Sequence, residues 1–166
     1  MKKIALAGFI MAAFSVTAKA QSMGSTYQTA IGAEIFSVEG DGPYGAFTIK
    51  HFVQENKAVE GIAYLWNYGA RFTGLYEFHG DIPGAEGLKW YAGPGVHVGF
   101  WNNKWKDHYP DREDGVAIGI DGIGGLDYKF KKVPINIFVD WQPSFNFVGY
   151  NHFYASWGGT GVRYTF

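Results

Sequence analysis

Gly158-Gly159-Thr160-Gly161-Val162-Arg163-Tyr164-Thr165-Phe166 closes the chain and decides its fold. Phe166, Tyr164, Val162 and Thr160 occupy one set of alternate positions; Thr165, Arg163, Gly161 and Gly159 occupy the other. Successive strand side chains point to opposite faces, so one face is aromatic and apolar while the other is small, polar or cationic. Termini of soluble chains ordinarily fray, which gives a final aromatic residue little to do there. The closing strand of a transmembrane barrel needs this alternation, with apolar groups toward lipid and polar ones toward the interior.

The pattern runs back through the chain in eight stretches: Tyr27–Ser37, Tyr44–Val53, Val59–Trp66, Arg71–His79, Leu88–Trp101, Gly115–Phe130, Ile135–Trp141 and Phe153–Phe166. Gly, Pro, Asn and Asp separate them and supply the backbone angles that turns require. The predicted fold class is therefore all-β, an eight-stranded antiparallel up-and-down transmembrane barrel. In the second half every charged strand residue falls on the face opposite the apolar one. The first three stretches divide less cleanly, because Ile62, Tyr64 and Trp66 share a face with Glu60. Pro94 between two glycines predicts a bulge or bend, and Ser144 to Asn151 reads as a soft break. With the C-terminus in the periplasm, parity puts the longest break, Asn102–Asp114, outside the cell. The same parity puts Gln54–Lys57, Gly80–Gly87 and Lys131–Pro134 in the periplasm. Phe78, Trp90, Tyr128, Phe130, Tyr164 and Phe166 then share one interface, and Phe100 and Trp141 the other.

Met1-Lys2-Lys3, an apolar run from Ile4 to Val16 and Ala18-Lys19-Ala20 read as a cationic start, a core and a small-residue cleavage site. The run is about 13 residues, short of the ~20 that a spanning helix needs. The expectation is a cleaved signal peptide over 1–20 and a barrel domain over 21–166, exported to the outer membrane of a Gram-negative bacterium. Loss of Lys2, Lys3 and Lys19 takes the formal charge from −1 to −4, so no basic excess favours nucleic acid. The chain has no cysteine, which excludes disulfides, thiolate metal sites and cysteine nucleophiles.

The terminal strand resembles the C-terminal assembly signal of bacterial outer-membrane barrels, with Val162, Tyr164 and Phe166 as its alternating positions. From about Ile31 to Phe166 the chain resembles small eight-stranded barrels of the OmpA/OmpX type. More narrowly, Trp90-Tyr91-Ala92-Gly93-Pro94-Gly95, Gly119-Ile120-Asp121-Gly122-Ile123-Gly124-Gly125-Leu126 and Asp140-Trp141-Gln142-Pro143 resemble a family of small Gram-negative barrels of mostly unassigned role. The resemblance implies outer-membrane lipid, lipopolysaccharide and the barrel-assembly machinery as partners, a monomer, and no cofactor.

The inward set collects Glu34, Glu60, Glu77, Asp121, Asp127 and Asp140 against Lys50, Arg71, Lys89, Lys129 and Arg163, beside His79 and His97. Eight strands leave a bore that side chains can fill, and an unpaired buried charge costs several kcal/mol. The predicted interior is a plug of charge pairs with no catalytic, cofactor or metal residues; the alternative is a narrow ion or small-solute channel. No H-E-x-x-H, G-x-x-x-x-G-K or G-x-S-x-G motif occurs. A second alternative, a lipid-A-modifying acyl-transfer or deacylase site at the outer rim, draws on Asp107, His108, Ser144, His152 and Ser156. The segment 102–114 mixes Lys104, Lys106 and Arg112 with Trp105 and Tyr109 and reads as a surface-contact loop.

Overall fold

The computed structural model describes residues 27–38, 41–67, 69–101, 115–149, 153–155 and 157–166. The expected leader over 1–20, the loop 102–114, His152 and Ser156 lie outside the described residues. The others form ten strand segments: β1 (Thr29–Val38), β2 (Asp41–Gln54), β3 (Lys57–Trp66), β4 (Gly69–Asp81), β5 (Leu88–Trp101), β6 (Val116–Lys129), β7 (Ile135–Trp141), β8 (Ser144–Val148), β9 (Phe153–Tyr154) and β10 (Gly158–Thr165). Antiparallel pairing passes from β1 through β2, β3, β4, β5 and β6 to β7, then to β10 and back to β1. The result is a closed eight-stranded barrel without helices among the described residues.

Two of the eight staves are each built from two segments. β7 and β8 both pair with β6, from Lys129↔Asn136 to Gly124↔Trp141 and again from Asp121↔Ser144. The register is unchanged across the interruption, so Ser144–Val148 continues the seventh stave, where the sequence suggested a break. Only Pro143, which has no N–H, interrupts the ladder; its carbonyl still accepts the Gly122 N–H at 2.9 Å. Pro94 behaves similarly. It faces Gly122 across an unshifted β5–β6 register, and the β4–β5 register is the same above and below it. The proline leaves a gap in the ladder and not a bulge.

Alternation sorts the side chains as two solvents would. Outward positions include Ile35, Phe47, Val96, Val139, Trp141, Tyr164 and Phe166, all at least half exposed. Between the rims no Asp, Glu, Lys or Arg of the described strands points outward. The turns 55–56, 82–87 and 130–134 share one end of the barrel with Gln28 and Phe166. Outward aromatics cluster toward both ends. Tyr76–Phe78, Tyr128–Phe130 and Tyr164–Phe166 pair near the terminal end, with centroids 5.4, 4.9 and 6.2 Å apart. Phe72 and Phe100 pair at 6.4 Å toward the other end.

Closure rests on the last strand. β10 matches β1 from Thr165↔Ala30 to Gly158↔Ser37, and Phe166 and Thr29 exchange two main-chain hydrogen bonds of 2.9 Å each. Deleting Phe166 removes both bonds and the outermost ring of its belt. The truncated chain is expected to give a markedly lower yield of heat-modifiable barrel on refolding into lipid vesicles, read as the shifted band in gel electrophoresis without boiling. An undiminished yield contradicts this role for the closing residue.

Candidate functional site

Among the described residues, polar chemistry concentrates in the interior, and it is filled. Toward the terminal end, Lys50 is fully buried, with its Nζ 2.7 Å from Glu77 Oε2 and 3.1 Å from Glu60 Oε2. Arg163 reaches Glu60 Oε1 at 2.5 Å through Nη2, Thr48 Oγ1 at 3.3 Å through Nε, and Asn136 Oδ1 at 3.4 Å through Nη1. Thr48 donates its hydroxyl to the same Glu60 oxygen. Glu77 also holds His79 Nε2 at 2.9 Å, and the other ring nitrogen lies 3.9 Å from Asp127. Aromatic faces complete the shell, with Lys50 4.1 Å from the Tyr91 centroid and Arg163 3.4 Å from that of Phe138. Lys50, Glu60, Glu77 and Arg163 each have several partners, which offsets the desolvation cost that a lone buried pair does not recover.

A second network lies toward the other end. Arg71 pairs with Asp121, donates to Ser144 Oγ at 3.3 Å, and rests 4.2 Å from the Trp157 centroid. Asp121 also faces His97 Nδ1 at 2.9 Å and accepts from Gln142 Nε2 at 3.1 Å. His97 Nε2 meets Asn146 Oδ1 at 2.8 Å, and Tyr64 donates to Gln142 Oε1 at 2.5 Å. The bore also holds an apolar cluster that includes Phe36, Ile62, Tyr64, Leu75, Ile123 and Trp157. Phe36 and Trp157 stack at 5.7 Å with their planes 6° apart. Ile62 and Tyr64 share the face of Glu60 because that face is the interior, and the bore alternates charge with hydrocarbon.

Of the residues read from sequence as the interior network, Glu34, Lys50, Glu60, Arg71, Glu77, Asp121, Asp127, Asp140 and Arg163 are all buried. Lys89 and Lys129 sit near the rim. Lys89 pairs with the exposed Asp81 at 2.5 Å, and Lys129 donates to the carbonyls of Phe130 and Val133 at 2.6 and 2.8 Å. The reading from sequence missed the neutral members Thr48, Tyr64, Ser144 and Asn146. Their signal was present: each stands two residues from another inward position, and two lie beyond the proline that seemed to end the seventh stave.

Of the residues of the acyl-transfer alternative, Ser144 is the one described. Ser144 is 2% exposed and hydrogen-bonded by Arg71 inside the bore, where no outer lipid reaches its hydroxyl. Asp107, His108, His152 and Ser156 fall outside the described residues. Among the described residues no three His, Asp or Glu side chains come together to hold a metal ion.

These features define a closed eight-stranded antiparallel barrel, apolar outside, with a buried salt-bridge network plugging its interior. No family model matches the chain, and no curated protein matches it. Among solved structures it is similar to the N-terminal β-barrel domain of Pseudomonas aeruginosa OprF. The TM-score is 0.59 and the identity 18%, over 84% of this chain and 98% of that one. At that identity the likeness speaks for the fold.

Arg163 gathers the terminal-end network from the closing strand. Arg163→Met leaves Glu60 with one cation fewer and is expected to cost about 3–5 kcal/mol, measured by urea unfolding of the refolded barrel in lipid vesicles. Adding Glu60→Gln should recover part of that loss, because the second change removes the stranded charge.

Proposed function

We propose that this protein is an integral outer-membrane barrel whose role is structural or surface-contacting, without catalysis. The observation that carries the reading is the outer wall. Its strands expose only apolar and small uncharged groups between the rims while every buried charge faces inward. Lipid offers no hydrogen-bond partner, so a strand structure placed in it must close on itself, and aromatic girdles belong at the two interfaces. The leader-like segment 1–20 supports export, and parity of the turns supports a periplasmic C-terminus. Assembly through the terminal Val162, Tyr164 and Phe166 and a monomeric state belong to the same reading. So does contact with lipopolysaccharide through Lys104, Trp105, Lys106, Tyr109 and Arg112.

A plugged bore predicts no transport. Purified protein in planar bilayers should give no stable conductance steps. Reproducible ion-selective steps that vanish in Asp121→Asn or Arg163→Met would replace this reading with a channel.

The wall is committed to lipid and the bore to its own charges, which leaves the outer rim for recognition. Replacing 103–113 by a short Gly/Ser turn should preserve heat-modifiability while weakening adsorption to lipopolysaccharide-containing vesicles. Mass spectrometry of lipid A from cells with and without the protein should show the same acyl chains. A difference that disappears in Ser144→Ala would favour the acyl-transfer alternative.

A further inference from the structure

The buried charges do not balance. Six carboxylates, Glu34, Glu60, Glu77, Asp121, Asp127 and Asp140, face three strong bases, Lys50, Arg71 and Arg163, among the described residues. Charging both His79 and His97 would still leave one negative charge over. The deficit has an address. Glu60, Glu77 and Asp121 each touch a Lys or Arg, and Asp127 lies near His79. Among the described residues, Asp140 is held by the Tyr91 hydroxyl, at 2.8 Å on Oδ2. Glu34 is 2% exposed, and neither of its oxygens has a hydrogen-bond partner.

These two acids border the same spot. Gly159 stands directly across from Asp140, and a Cβ placed on Gly159 would lie 1.9 Å from Glu34 Oε1. The carboxylate of Glu34 therefore rests where any other residue at 159 would put its side chain, one strand spacing from Asp140. Gly161 leaves the next inward position equally bare, and there the Phe138 ring packs. That ring in turn carries Arg163 at 3.4 Å. A shallow depression of about 400 Å³ lies on the outer face of the same wall, lined by Ile35, Pro43, Val139, Asp140, Gly159 and Thr160.

We propose that Glu34 and Asp140 bind a hard, oxygen-seeking cation of the Na⁺ or Ca²⁺ class over Gly159. Two carboxylates supply charge and oxygen donors of the kind such ions select, and Glu34 has both oxygens to give. A small cation satisfies a pair that no Lys or Arg touches among the described residues, and binding only the folded barrel it stabilises that state by mass action. The proposal goes beyond the outer-membrane reading, whose own readout is heat-modifiability.

The test is refolding of the full mature chain from urea into vesicles, in NaCl, in CaCl₂, or in choline chloride with chelator, at matched ionic strength. The melting midpoint should be higher by ~3 °C or more in at least one metal salt than in choline. The salt that produces the shift identifies the ion. Glu34→Gln should remain heat-modifiable and lose the difference, and Asp140→Asn serves as the second variant if the first does not fold. Equal midpoints in all three salts overturn the proposal. So does a metal-specific shift that persists in Glu34→Gln or Asp140→Asn. The barrel assignment stands or falls separately, on whether the chain refolds to a heat-modifiable band at all.

Discussion

Closure of β10 onto β1 is the constraint on which the rest depends. A strand wall with an apolar outside has no solvent to satisfy a free edge, so eight staves must meet. Meeting with eight fixes a bore that side chains alone can fill. From that point the interior residues have no choice of environment. Whatever charge the inward positions carry is buried at once, and each ion must find its counter-ion across the bore. The long-range pairs follow: Arg163 of the last stave with Glu60 of the third, Lys50 with Glu77, Arg71 with Asp121.

These bridges join strands far apart in sequence, while the ladder joins neighbours. Removing a ladder bond is local, and Pro94 and Pro143 show that the wall tolerates it twice. Removing an interior ion strands its partners in a medium of low dielectric, where the cost is several kcal/mol. The barrel is thus held in cross-section by its charges and in circumference by its backbone. The aromatic cluster of Phe36, Tyr64 and Trp157 packs inside the same bore, with Tyr64 bonded to Gln142 and Trp157 beneath Arg71.

Most of the fold was legible because period-two alternation is a strong signal where the two faces meet different media. Several strand ends came with it, among them Leu88 and Trp101 of the fifth stave. The third stave was harder to read. Ile62 and Tyr64 on the face of Glu60 look like an error of phase if one expects a purely polar interior, whereas a narrow bore also accepts hydrocarbon. Pro143 misled in a different way, since a missing N–H interrupts a ladder without ending a strand. Which acids pair with which bases was not legible, because pairing across a bore depends on the stagger of the staves. The isolation of Glu34 emerges only when Gly159 is seen beneath it.

The claim that the outside meets lipid while the inside is sealed can be tested along a single strand. The chain has no cysteine, so single cysteines from Ile135 to Trp141 can each carry a spin label in the vesicle-inserted protein. Collision with oxygen and with a water-soluble nickel chelate is then measured at each site. Labels at Ile135, Ile137, Val139 and Trp141 should meet oxygen freely and the chelate rarely, while those at Asn136, Phe138 and Asp140 should be shielded from both. Chelate access at the inward sites would show a wet, open bore, and chelate access at the outward sites would show a wall that is not in lipid; either result contradicts the account.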